Sequence, residues 1–132
     1  MLISLKPGER IFLNGAVIRV DRKVTIELLN DVAFLLESHV LQVEDTTTPM
    51  RQLYFAVQTM LIEPRKGAAA QAVFNGQLAG LMTSFTNDAL VAALAQVGEF
   101  VQAGRLFEAL RAIRRLFMIE AGILGADAPK AA

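Results

Sequence analysis

No cysteine and no tryptophan occur in the 132 residues, histidine and tyrosine occur once each, and 13 basic side chains are matched by 13 acidic ones. Without cysteine there is neither a disulfide framework nor a thiolate metal site. Without net charge there is no uniform basic coat for nucleic acid, although charge can still gather on one face. No apolar run approaches the ~18 to 20 residues of a membrane span, and the start, Met1 to Gly8, has no long apolar h-region. A phosphate loop, a dinucleotide fingerprint and zinc-ligand spacing are all missing. His39 stands without a nearby carboxylate cluster, and the scattered serines suggest no triad. Glu44-Asp45 lacks the alternating acids and glycine of a calcium loop and reads as linker. These absences predict a soluble, cytoplasmic protein that is not an enzyme and uses no metal or cofactor.

What is there is a compact domain's worth of apolar residues, 54% of the chain, distributed in two ways. Up to about Asp45 the apolar residues are β-branched or large and alternate; beyond Pro49 they recur at helical spacing. The predicted fold class is α+β: a small antiparallel β meander or barrel over residues 1–45, then a bundle of about four helices over 46–132, together one compact unit. Asn14-Gly15 is a two-residue hairpin turn, because both central residues of a type I′ turn need positive φ. It sets Leu13 opposite Ala16, Phe12 opposite Val17, Ile11 opposite Ile18 and Arg10 opposite Arg19.

A three-residue loop, Asp21-Arg22-Lys23, then pairs Val20 with Val24 and Ile18 with Ile26, and a turn at Asn30-Asp31 sets Ile26 opposite Leu35 and Glu27 opposite Phe34. In that threading Ile11, Leu13, Ile18, Val20, Val24, Ile26, Leu28 and Leu35 form the core face. The opposite face carries Phe12, Val17, Leu29, Phe34 and Leu36, a patch to be covered by the helices or by a second subunit in a homo-oligomer.

In the second half, Thr48-Pro49 is an N-cap followed by proline at the first helical position. Met50, Leu53, Tyr54, Val57 and Leu61 make the first apolar stripe, and Pro64 ends it. The second helix runs from Gly67 to Phe85, with Gly76 and Gly80 spaced for close packing against a neighbour. Thr86-Asn87-Asp88 caps the third helix, Gly104 ends it, and the fourth follows with a stripe of Leu106, Leu110, Ile113 and Phe117. Arg111 and Arg115 lie opposite that stripe with Arg114 to the side, an anion-binding edge unless Glu108 pairs with Arg111.

Leu5-Lys6-Pro7-Gly8-Glu9-Arg10-Ile11-Phe12-Leu13-Asn14-Gly15-Ala16-Val17-Ile18-Arg19-Val20 and Leu28-Leu29-Asn30-Asp31-Val32 closely resemble the flagellum biosynthesis repressor family FlbT of α-proteobacteria. Thr48 to Phe55, Gly104 to Leu110 and Glu120 to Gly125 are similar to the same family, so the resemblance covers nearly the whole length. It implies a cytoplasmic post-transcriptional regulator that associates with the 5′ untranslated region of flagellin messenger RNA and lowers its translation or stability. The family supplies no RNA-contacting residues to carry over. Met1-Leu2-Ile3, Gly8-Glu9 and Val24-Thr25-Ile26 also resemble the carbon storage regulator CsrA, but the paired arginines of that family are absent between Ile3 and Gly8.

Two readings remain open: an RNA-binding repressor, and a protein-interaction module that holds flagellin or another flagellar protein and reaches RNA indirectly. For the first, Arg10 opposite Arg19 is a like-charge pair that something must offset. Glu9 or Glu27 can do so, or phosphate oxygens can, with Lys6, Arg22 and Lys23 extending the patch and Arg51 joining it from the first helix. Arg111, Arg114 and Arg115 are the alternative patch.

Overall fold

The computed structural model describes residues 1–127, with side chains described as far as Ile123; residues 128–132, the end of the expected helical subdomain, lie outside the described residues. Five strands, β1 (Leu2–Leu5), β2 (Arg10–Leu13), β3 (Ala16–Arg19), β4 (Val24–Glu27) and β5 (Phe34–Leu36), precede four helices, α1 (Pro49–Ile62), α2 (Gly67–Ser84), α3 (Asp88–Gln102) and α4 (Leu106–Asp127). The α+β class and the order of its halves are as the sequence predicts. The strands end at Leu36 rather than near Asp45, and one-turn 3-10 helices at Glu37–His39 and Val43–Asp45 fill the connection.

The Asn14-Gly15 hairpin forms in the predicted register, Arg10 to Arg19 through Leu13 to Ala16, with φ of 50° at Asn14 and 88° at Gly15. The rest of the meander is different. β4 pairs with β1, not β3, setting Ile3 opposite Ile26 and Leu5 opposite Val24. β5 pairs with β2, not β4, setting Ile11 opposite Leu36 and Leu13 opposite Phe34. Two antiparallel sheets result, β1-β4 and β3-β2-β5.

The reason lies at the start of the chain. Ile3 and Leu5 are buried alternately with exposed Leu2 and Ser4, so β1 offers β4 an apolar face. Lys6-Pro7-Gly8-Glu9 is a type II turn, with proline second, Gly8 at φ 79° and the Glu9 N–H donating to the Lys6 carbonyl at 3.0 Å. That turn carries the chain from one sheet to the other.

The changed pairing flips β5 over, since one residue of slip exchanges the two faces of a strand. Phe34 and Leu36 join Ile3, Leu5 and Ile11 in a small core, while Leu35, assigned by sequence to that core, instead packs with Phe12 against the helices. Ile18, also assigned to the core face, is exposed on the edge strand. Phe12, Phe34 and Leu36 are thus covered within the chain, whereas Val17 and Leu29 of the same expected patch stay exposed.

The helices form where their end signals stand. Thr48 Oγ1 accepts from the Arg51 N–H at 3.2 Å, and Asn87 Oδ1 accepts from the Leu90 N–H at 3.1 Å. At Gly104, φ 75°, the Gly104 and Arg105 N–H groups return to the carbonyls of Val101 and Phe100 at 3.0 and 2.8 Å, a Schellman stop. Buried Gln58 on α1 clamps the connection through both atoms of its amide, bonding the Leu41 N–H at 2.7 Å and carbonyl at 2.9 Å.

The expected close packing of Gly76 and Gly80 is not found. The inward side of α2 is Ala70, Phe74 and Leu81, and a Cβ added at either glycine would meet open space. The double substitution Gly76→Ala, Gly80→Ala is therefore expected to stabilise the fold by about 1–2 kcal/mol in urea unfolding, because alanine restricts the unfolded chain and suits a helix interior. A loss of stability would show that something packs closely on this face.

Candidate nucleic-acid interface

The hairpin patch is neutralised in part by the fold itself. Glu37, on the turn after β5, accepts from Arg10 twice, from Nε at 2.9 Å and from the backbone N–H at 3.1 Å. It offsets the Arg10–Arg19 repulsion, a role the sequence suggested for Glu9, Glu27 or phosphate. The Arg10 N–H first, then its guanidinium, with a contribution from Arg19, hold the Glu37 carboxyl below the usual carboxylate range. Arg22 pairs with Asp21 at 3.2 Å, both exposed. Lys6, Arg19 and Lys23 are exposed and have no ion pair among the described residues.

Arg51 does not join this group. Its guanidinium carbon lies 4.7 Å from the ring centre of Phe117 on α4. Phe117 meets the ring of buried Tyr54 edge-on at 5.5 Å, and Tyr54 Oη accepts from Arg114 Nη1 at 3.0 Å while donating to the His39 carbonyl. Arg51, Phe117, Tyr54 and Arg114 therefore form one continuous cluster along the seam between α1 and α4. Burial raises the Tyr54 hydroxyl above its ordinary pKa, and Arg114 opposes that rise. One turn before Arg114, Arg111 lies over Phe107 at 5.2 Å, and Arg115 is exposed beside it.

Glu108, the expected partner of Arg111, pairs instead with Arg105 at 3.0 Å. Among the described residues none of Arg51, Arg111, Arg114 and Arg115 forms a salt bridge. Arg51 and Arg114 thus lie at the seam without a carboxylate partner among the described residues, and Arg111 and Arg115 extend the arginine surface along α4, in a chain of zero net charge. Spacing alone places Arg111, Arg114 and Arg115 on one helix, whereas the Arg51–Phe117 and Arg114–Tyr54 contacts join residues of two helices.

His39, half-buried between the strands and the seam, is held below its ordinary pKa of 6.5 by burial first and by Arg114 second. Below that value the unfolded chain binds the proton that the folded chain still refuses, so acid weakens the fold. Glu37 adds the same sign below its ordinary 4.5, since its depressed folded value confers stability that is lost as pH falls through it. The urea midpoint is expected to fall from pH 7 to pH 5.5, and to fall less in His39→Asn. An equal fall in both would remove His39 from this account.

A sequence profile of the family described as flagellar protein FlbT matches residues 1–124. The chain belongs to the FlbT family. The probable flagellum biosynthesis repressor protein FlbT of Brucella anthropi is 54% identical over 127 residues, covering 96% of this chain and 84% of that protein. Proteins of the same description from Brucella ovis and Brucella melitensis biotype 2 are each 56% identical over 125 residues, with 95% of this chain and 82% of theirs covered. No solved structure matches the chain. FlbT proteins are regulators rather than enzymes, and no helix described in this one is long and apolar enough to cross a membrane.

Proposed function

We propose that this FlbT protein acts in the cytoplasm by binding the 5′ untranslated region of flagellin messenger RNA and repressing its translation or promoting its degradation. The relatives' description as repressors of flagellum biosynthesis supports the regulatory half of this reading. The observation that carries the RNA half is the set of four arginines on α4 and at its seam with α1, none of them in a salt bridge among the described residues although the chain holds as many acids as bases. A charged groove or face that tracks a phosphate backbone needs that local excess, whatever the net charge. Lys6, Arg19 and Lys23 on the strands offer further contacts.

A second reading, a module that binds flagellin or another flagellar protein, draws on a different face. No charged residue occurs from Gly67 to Asn87, the span of α2 and the turn after it, and a groove between α2 and α3 is lined by Phe74, Leu78 and Met82.

Purified protein titrated with a flagellin leader RNA distinguishes the two. Direct binding with a log–log salt slope of about −1.4 or steeper, the value for two or more single-strand phosphate contacts, is the expected result. Binding that appears only when flagellin is added would transfer the function to the second reading.

A further inference from the structure

We infer that the arginine face of α4, together with its seam with α1, takes unpaired RNA, with the guanidinium planes of Arg51 and Arg111 stacking on bases while Arg114 and Arg115 meet phosphates. This rests on the RNA-binding reading and states which form of RNA the site accepts.

Arg51 and Arg111 are set over aromatic rings, at 4.7 Å on Phe117 and 5.2 Å on Phe107. A planar cation lying on a ring keeps its opposite face available, and that face is a platform for a base. The ring beneath holds the guanidinium before any ligand arrives, so little side-chain freedom remains to be lost on binding. Arg114 is held differently: its bond to Tyr54 Oη uses one of five N–H donors and leaves others for phosphate oxygens. Arg115 is exposed one residue further along the helix.

The acids nearest in sequence are occupied. Glu108 is paired with Arg105, and Glu120 is buried and bonded to the Met50 N–H at 2.8 Å. Stacking platforms require bases whose faces are free; in a duplex those faces are used, and the major groove of A-form RNA is too narrow for side chains to read. An acidic protein segment would also pair with the guanidinium forks, but it would make no use of their stacking faces.

The test compares the full chain carrying Arg51→Lys with Arg111→Lys against the wild type and against Arg19→Ala with Lys23→Ala. Each is titrated with an unpaired leader segment, with the same segment annealed to its complement, and with polyglutamate as competitor. Lysine keeps the charge and removes the plane. The lysine variant should bind the unpaired strand about tenfold more weakly, from about threefold at each position, with its salt slope unchanged. Wild type should prefer the unpaired strand to the duplex; the strand variant, which removes only further phosphate contacts, should bind both forms more weakly and keep that preference.

Wild-type affinity in the lysine variant, equal affinity for duplex, or competition by polyglutamate as strong as by RNA of equal charge would each overturn the inference while leaving RNA binding in place. Failure of the wild type to bind the leader at all would overturn both. If the lysine pair loses helicity, Arg111→Lys alone, at an exposed position, gives the same comparison at about threefold.

Discussion

Glu120→Ala is expected to lower the unfolding free energy by about 2–3 kcal/mol, the scale of a buried hydrogen bond to a charged group. Glu120 is 1% exposed, and its Oε2 accepts the Met50 N–H at the first turn of α1, 70 residues away in sequence. That N–H is one of the donors a helix start leaves without a partner, and the carboxylate also lies at the positive end of the helix dipole. Alanine would leave the buried Met50 N–H unsatisfied and open a void between α1 and α4. Glu120→Gln keeps an acceptor of the same shape and should cost only about 1 kcal/mol. Urea unfolding followed by circular dichroism measures both; a midpoint unmoved in Glu120→Ala would show that the contact contributes nothing. Because Arg51 follows Met50 directly, the same substitution should also weaken the seam's hold on RNA.

Leu35→Ala is expected to cost about 3 kcal/mol, in the range for deleting a fully buried leucine side chain. Leu35 is 0% exposed and packs with the helical core, although it sits on a strand. Phe34 beside it points the other way, into the core between the sheets, where its ring lies 5.2 Å from that of Phe107 on α4. β5 thus contributes to both cores with consecutive residues. The loss should therefore appear as one shifted transition rather than as separate melting of strands and helices. Two transitions in the variant would show that the halves are independent domains.

The parts of this architecture that were legible in the sequence are those decided within a few residues. Asn14-Gly15 accepts the positive φ of its turn, and a two-residue loop leaves the flanking residues no choice of partner. Thr48-Pro49, Asn87 and Gly104 likewise act through bonds three to five residues long, so the helix boundaries follow from them.

Strand partners beyond the hairpin were not legible, because alternation shows which residues share a face and is silent on which strand lies alongside. Val24-Thr25-Ile26-Glu27 suits β3 as well as β1. The decision comes from Ile3 and Leu5, which reach burial through the Pro7-Gly8 turn once β1 lies beside β4.

The candidate site divides in the same way. The facing pair Arg10 and Arg19 follows from the hairpin, but its counter-ion, Glu37, comes from a turn that adjoins β2 only because β5 does. Arg111, Arg114 and Arg115 fall on one helix by spacing alone. Their freedom from Glu108, and the addition of Arg51 through Phe117 and Tyr54, needed two helices packed in a particular rotation. Local sterics, capping and side-chain identity suffice for an uncharged-overall α+β chain with a defined hairpin, four bounded helices and recognisable FlbT kinship. Tertiary structure alone decided the sheet partners, the faces of β5 and which arginines stay unpaired, because burial and ion pairing depend on distances between residues far apart in the chain.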